Sequence, residues 1–101
     1  MQCINFSPKN FSCLSRGKTT TIRLGDKVFC LGPVKLLCSE ESKELDSDII
    51  EIKMVRFGDL GLSDAVSDGF NTIESLRREL ENCYEKLVSD FEPVTIVRFG
   101  I

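Results

Sequence analysis

The sequence predicts an α+β domain, a small β-barrel or curved sheet with two or three helices packed against it. Short segments rich in Val, Ile, Thr and Phe recur along the chain, as they do in strands. Residues 73–87 carry one apolar stripe at helical spacing. With 101 residues, the chain can bury roughly 60–70% of its unfolded surface but cannot form two cores. We therefore expect residues 1–101 to form one monomer-sized domain.

The first elements are a strand, a helix and a second strand. Residues 4–6 have strand chemistry, and Ser7-Pro8 supplies an N-cap with proline at the first helical position. A short helix is expected to run to about residue 15 and to end at Gly17. Residues 17–25 then form a run of β-forming residues that holds two cations and three threonines.

The middle of the chain predicts further strands. Lys27 to Cys30 and Val34 to Cys38 are expected to be strands on either side of a turn at residues 31–33. Segment 39–48 is acidic and poor in apolar residues, which favours a mobile loop. Residues 49–57 return to strand chemistry and predict a long antiparallel strand. Its alternation would place three apolar side chains on one face: Ile50, Ile52 and Met54.

The C-terminal part predicts two helices and a closing strand. Ser63 is a candidate N-cap for a short helix that ends near Asp68-Gly69. Residues 71–74 resemble a capping box that opens a longer helix. Residues 93–99 are expected to close the sheet. The longer helix would bury an apolar stripe made by six side chains: Ile73, Leu76, Leu80, Cys83, Tyr84 and Leu87.

Composition limits the functions open to the chain. The net charge is -3, which argues against a polycation for nonspecific nucleic-acid binding. Residues 13–27 nevertheless hold four cations and one aspartate, so one local patch can attract an anion. The absence of histidine excludes histidine catalysis and His-ligated metal sites. We expect neither a metal nor another cofactor.

The same composition suggests where the protein works. Five cysteines without a C-x-x-C pair favour free thiols in a reducing compartment. No apolar run of 18 residues and no signal-peptide pattern is seen, so we expect no membrane association. The predicted location is the cytoplasm.

The polar strand at residues 17–25 needs an explanation beyond packing. Gly17-Lys18-Thr19 matches the end of a phosphate-binding loop, but position 12 holds Ser12 where that motif needs glycine, and a strand follows where it needs a helix. Nucleotide hydrolysis of that type is therefore not expected. Strand alternation would divide the side chains into two sets: Lys18, Thr20 and Ile22 on one face, and Thr19, Thr21 and Arg23 on the other.

Four segments together resemble the ASCH domain, especially its compact archaeal-type members. They are Gly-Lys-Thr-Thr-Thr-Ile-Arg at 17–23, Val-Arg-Phe-Gly-Asp-Leu at 55–60, Asp-Gly-Phe at 68–70, and Val-Thr-Ile-Val-Arg-Phe at 94–99. ASCH domains are PUA-like. They consist of a small β-barrel with a cleft between the barrel and the helices, and they are implicated in RNA binding. The resemblance implies that RNA or a modified nucleoside binds there. The expected ligand-binding residues are Arg16, Lys18, Arg23 and Phe70.

The same resemblance implies a second function. Some small bacterial ASCH proteins are amidohydrolases that remove the acetyl group of N4-acetylcytidine with a lysine, a threonine and a glutamate. By motif these correspond to Lys18, Thr21 and Asp68, with aspartate one methylene shorter than the glutamate. An ideal strand would point Lys18 and Thr21 to opposite faces, so this triad requires a bend between them. A third interpretation is a protein-interaction module that acts through the acidic segment 39–48.

Overall fold

The computed structural model describes residues 1–25 and 28–100 of the chain. Within these residues the strands are β1 (Gln2–Asn5), β2 (Thr20–Leu24), β3 (Gly32–Cys38), β4 (Lys43–Arg56) and β5 (Pro93–Phe99). The α-helices there are α1 (Pro8–Cys13), α2 (Leu62–Ser67) and α3 (Ile73–Tyr84). Short 3₁₀ turns occupy Leu14–Arg16, Ser39–Glu41 and Phe57–Asp59.

The strands form one strongly curled, half-barrel sheet in the order β1-β3-β4-β5-β2. β1 runs parallel to β3, and the other neighbours are antiparallel. Alternation along β5 sends Ile96 and Val97 into two separate apolar clusters. One cluster packs α2 and α3 against the sheet, and the other packs the segment that contains α1. The predicted α+β fold, with a small barrel-like sheet and three helices, is confirmed.

The helix ends follow local capping chemistry. The Ser7 hydroxyl accepts a hydrogen bond from the backbone N–H of Asn10 at 3.3 Å, with proline at the next position, as predicted. Gly17 ends this helical segment with a φ of 100°, a conformation that favours glycine. At α3 the N-cap is Thr72, and its capping box closes on Ser75 rather than on residue 74.

Some sequence expectations about the helices were wrong at the boundaries. α2 has Gly61 as its N-cap instead of Ser63, because the Asp64 carboxylate accepts from the Gly61 N–H at 2.8 Å. α3 ends at Tyr84, and Glu85 takes the left-handed conformation. Leu87 therefore lies beyond the helix and is 85% exposed, so it does not extend the apolar stripe.

The prediction of a mobile loop at residues 39–48 was wrong. A 3₁₀ turn fills only Ser39–Glu41, and β4 begins at Lys43. Its first residues pair with β3, and Lys35 Nζ lies 3.5 Å from the Glu44 carboxylate and 3.8 Å from that of Asp46. Because these charges sit on the solvent side of a paired ladder, an acidic segment can still be a strand.

The predicted apolar face of the long strand was also wrong. A register shift between Ile49 and Glu51 turns the strand, so that Ile49 is buried and Ile50 is 55% exposed. Met54 is exposed to the same extent, and only Ile52 of the predicted set packs against a core cluster. The bulge shifts the alternation at this point, so that Ile49 takes the buried face in place of Ile50.

The connection before β3 differs from expectation as well. Residues 28–30 form no regular element, and Lys27, which was predicted to start a strand, lies outside the described residues. Gly32 and Pro33, expected in a turn, are the first residues of β3. In the part of the chain that the structure describes, no helix has the length and apolar character to cross a bilayer. The same part holds no group of three or more metal-ligating side chains.

Candidate functional site

The segment that enters β2 places Lys18 independently of strand alternation. Lys18 and Thr19 precede the first residue of β2, and their backbone N–H groups donate to Cys13 O at 3.1 Å and Ser67 O at 2.8 Å. These bonds turn the chain between the end of the α1 segment and the end of α2. Lys18 therefore lies outside the regular alternation of β2, and Lys18 and Thr21 line the same cavity.

Lys18 forms a buried ion pair with Asp68. The Lys18 Nζ donates to Asp68 Oδ1 at 2.5 Å and to the Asp68 carbonyl oxygen at 2.8 Å. The two side chains are 3% and 5% exposed. Asp68 caps the C-terminus of α2, and Gly69 follows with a φ of 94°. The predicted Asp-Gly-Phe turn thus delivers a carboxylate directly to the lysine of the polar strand.

Burial controls the protonation of Asp68. Desolvation raises the pKa of its carboxyl from 3.8 to about 6, although Lys18, Arg23 and a hydrogen bond with the Ile22 backbone favour the charged form. The carboxyl therefore titrates close to neutral pH instead of in the acidic range.

Arg23 is held in place by three contacts. Its Nε donates to Thr21 Oγ1 at 2.9 Å, and one terminal nitrogen donates to Asn5 O at 3.1 Å. The guanidinium carbon lies 5.3 Å from the centre of the Phe6 ring, and Lys18 Nζ lies 5.9 Å from the same centre. One aromatic ring therefore contacts both cations. Burial lowers the pKa of the Arg23 guanidinium below its ordinary value.

These groups form one wall of a cavity of about 260 Å³. The β2 side contributes Lys18, Thr21 and Arg23, with Asp68 and Phe70 beside them. The opposite wall comes from α1 and α3, which contribute polar and apolar side chains: Asn10, Leu76, Glu79, Leu80, Cys83 and Tyr84. The cavity thus lies between a cationic strand and two helices.

The structure brings most of the sequence-predicted residues together. Lys18, Thr21, Asp68, Arg23 and Phe70 all line this cavity, and Phe70 also packs against the apolar cluster beneath α3. Arg16 is exposed in the 3₁₀ turn and is not among the lining residues. The hydroxyl of Thr21 is bonded to Arg23, and the Nζ of Lys18 is bonded to Asp68.

Sequence reasoning missed two important side chains, Phe6 and Glu79. Phe6 looked like an ordinary strand residue, and only the tertiary structure places its ring beside both cations. Glu79 had a detectable signal: it lies three residues after Leu76 and four before Cys83, so it falls on the inward stripe of α3. A charged residue on an otherwise apolar helix face indicates a side chain that has a hydrogen-bonding partner or a functional role.

Comparison with solved structures identifies proteins of the same architecture. Neither a family model nor a curated protein sequence matches the chain. Among solved structures, the ASCH domain from Lactobacillus crispatus JV V101 superposes with a TM-score of 0.72 over 98% of this chain and 77% of its own, at 12% identity. The chain has an ASCH-type fold. A DUF984 protein from Enterococcus faecalis V583 gives a TM-score of 0.69 over 94% and 67%, at 15% identity.

The ASCH-type fold confirms the architecture that the sequence motifs suggested. Because both structures are less than 25% identical in sequence to this chain, they establish the fold alone. Only the residues of the cavity itself therefore bear on the function.

Proposed function

We propose that residues 1–101 act as one domain that binds a single nucleoside unit, free or within RNA, in the cavity between β2 and the helices. The observation that carries this proposal is the convergence of Lys18, Arg23 and Phe70 on one cavity that also contains a carboxylate. A volume of about 260 Å³ lies just under the roughly 300–1,000 Å³ of pockets for drug-sized ligands. This size suits one base or nucleoside.

The cavity offers the contacts that a nucleoside needs. Among the described residues, Arg23 donates through its Nε and one terminal nitrogen, so the rest of its five donors are available to a phosphate or a carbonyl edge. Because Phe6 and Thr21 fix the guanidinium, little side-chain entropy is lost on binding. Phe70 is half-buried at the cavity and supplies an aromatic surface for stacking, worth about 1–3 kcal/mol per base.

Titration of the purified protein with nucleosides and short single-stranded RNA tests this proposal. Calorimetry should detect binding that weakens at least about tenfold in Arg23→Met and in Phe70→Leu, which keeps apolar volume but removes the aromatic face. The matched control is Lys53→Met, since Lys53 is exposed on β4 and does not line the cavity. For single-stranded RNA, the logarithm of the binding constant should fall with the logarithm of the salt concentration, with a slope of roughly 0.7 per phosphate contacted. Absence of binding at millimolar nucleoside would contradict the proposal.

The second candidate function is hydrolysis of N4-acetylcytidine to cytidine and acetate. It is favoured by the position of Lys18, Thr21 and Asp68 around one cavity. Transfer of a proton from Lys18 Nζ to Asp68 Oδ1, across 2.5 Å, leaves a neutral amine that can accept the Thr21 proton. The hydrogen bond from Arg23 to Thr21 Oγ1 stabilises negative charge on that oxygen as it attacks the acetyl carbon.

The remaining steps balance without any cofactor. The proton on Lys18 passes to N4 as the C–N bond breaks, which releases cytidine and leaves an acetyl ester on Thr21. Water, deprotonated at the same pair, then attacks the ester carbon and releases acetate and the threonine hydroxyl. Asp68 returns its proton to Lys18 at the end of the cycle.

Chromatographic detection of cytidine tests the second candidate. Thr21→Val should abolish turnover, and Asp68→Asn should reduce it by at least about a hundredfold. The matched control is Thr19→Val, because the Thr19 hydroxyl accepts from Arg98 at 3.4 Å and does not line the cavity. If concentrated wild-type protein releases no cytidine, the catalytic hypothesis is overturned, and nucleoside binding stands or falls by its own titration.

A further inference from the structure

Glu79 presents a carboxylate to the cavity from the helix side. Asn10 Nδ2 and Cys83 Sγ both donate to the same oxygen, Glu79 Oε2, at 3.1 and 3.7 Å. Within residues 1–25 and 28–100, the other oxygen, Oε1, accepts no hydrogen bond. Glu79 lines the cavity and is only half-buried. Two donors thus fix the carboxylate and leave one acceptor for a ligand.

The donors come from different helices and are suited to hold the carboxylate steadily. Asn10 belongs to α1, and Cys83 lies one turn after Glu79 on α3. Burial, reinforced by the charge of Glu79, raises the pKa of the Cys83 thiol above its ordinary value of 9.0. The thiol therefore keeps its proton at neutral pH and continues to donate.

Glu79 differs in function from the other carboxylate of the cavity. Asp68 is bound to Lys18 through both its side chain and its carbonyl oxygen, so its negative charge is already balanced. No cation of the described residues lies within ion-pair distance of Glu79. The free donors of Arg23 therefore lie on the β2 side of the cavity, and the free acceptor of Glu79 lies on the helix side.

We propose that Glu79 determines ligand specificity by accepting a hydrogen bond from the exocyclic amino group of a heterocyclic base. This inference rests on the proposed nucleoside-binding function and names the class of base. A carboxylate is the acceptor that suits the amino group of cytosine, and the Asn10 side-chain oxygen offers a second acceptor beside it. A keto oxygen at the same position would face the Glu79 carboxylate with no proton to share, because both groups are acceptors. The unpaired acceptors lower the affinity for that ligand.

Paired nucleosides that differ only in this group test the inference. Dissociation constants for cytidine against uridine, and for adenosine against inosine, should favour the amino partner by about 5- to 150-fold in the wild-type protein. Glu79→Gln carries both a donor and an acceptor and should reduce the preference to within about threefold. The control is Glu74→Gln, because Glu74 is exposed on the same helix and does not line the cavity; it should retain the wild-type ratio.

A second variant separates recognition from a merely structural role. Asn10→Ala removes one donor to Glu79 Oε2 and the neighbouring acceptor but leaves the carboxylate in place, so affinity for cytidine and adenosine should fall while the amino preference stays above threefold. Equal wild-type affinity for both members of each pair overturns the inference and leaves nucleoside binding intact. An unchanged preference in Glu79→Gln also overturns it. Failure of every nucleoside to bind overturns both this inference and the proposed function.

Discussion

The buried carboxyl of Asp68 should give the fold an unusual dependence on pH. Its pKa is about 6 in the folded protein and 3.8 in an exposed carboxyl, so the folded state holds this proton more tightly than the unfolded chain does. Unfolding therefore releases a proton between about pH 4 and 6. The contribution of Asp68 to the free energy of unfolding is greatest below the unfolded pKa and is lost as the pH rises through the folded one.

The size of this loss follows from the two pKa values. At about 1.36 kcal/mol per pKa unit, the difference between 3.8 and about 6 corresponds to about 3 kcal/mol. Asp68 is 4% exposed, so solvent screening removes little of it. Many other carboxylates titrate in the same pH range, and their effects must be cancelled.

Comparison with Asp68→Asn cancels those effects, because both proteins share every other carboxylate. Urea denaturation followed by far-UV circular dichroism should show wild-type stability falling by about 3 kcal/mol relative to the variant between about pH 3 and pH 7. In Asp68→Asn, Lys18 loses its charged partner, but this cost is the same at both pH values and therefore does not affect the difference between them. A relative stability that rises with pH would show that pairing with Lys18 outweighs desolvation and would refute the reasoning.

Lys18→Met supplies the internal check. Lys18 lowers the pKa of Asp68, so its removal should move the folded pKa above 6. The relative loss of stability, measured against Lys18→Met/Asp68→Asn, should then become larger and extend to higher pH. An unchanged midpoint would mean that the two groups do not interact in solution.

Three further substitutions test the packing that supports the cavity, each by urea denaturation. Thr20→Val should stabilise the fold by about 1 kcal/mol, because the Thr20 hydroxyl is buried with no hydrogen-bond partner in the described chain; a loss of stability would reveal a partner such as a trapped water. Leu76→Ala should cost about 2–5 kcal/mol, since Leu76 is fully buried beneath α3, and a cost below 1 kcal/mol would indicate that the helix repacks. Thr72→Ala should cost about 1 kcal/mol through loss of its bond with the Ser75 N–H, and an equally stable variant would show that this cap contributes nothing.

Local patterns in the sequence were sufficient for the regular elements with strong signals. The closing strand is found at the predicted residues, Pro93–Phe99, because an unbroken run of β-forming residues follows a proline. In the predicted stripe of α3, Leu76 and Leu80 are buried, whereas Cys83 is exposed. The start of β4 was not predicted, since residues 43–48 become a strand by pairing their charges with β3 rather than by burying apolar side chains.

The candidate site divides in the same way. The resemblance carried by the motifs placed Lys18 and Asp68, 50 residues apart in sequence, in one candidate site, and in the structure they form an ion pair. Alternation in an ideal strand argued against Lys18 and Thr21 sharing a cavity, and the backbone bonds before β2 remove that obstacle. The roles of Phe6 and Glu79 depend on tertiary contacts, of Phe6 with the two cations and of Glu79 with Asn10. No local sequence pattern predicts contacts between segments so far apart in the chain.

The division of the cavity between strand and helices has a consequence for how such a protein can diversify. The groups suited to an anion or a carbonyl come from the β2 side, where backbone pairing fixes them, whereas Glu79 and Asn10 belong to helix surfaces. In the proposed binding mode, exchange of one or two side chains on α1 and α3 would therefore redirect the choice of base without disturbing the sheet. On that proposal the strand side holds the ligand and the helix side selects it, so a library randomised at Asn10 and Glu79 should yield domains with new base preferences and an unchanged sheet.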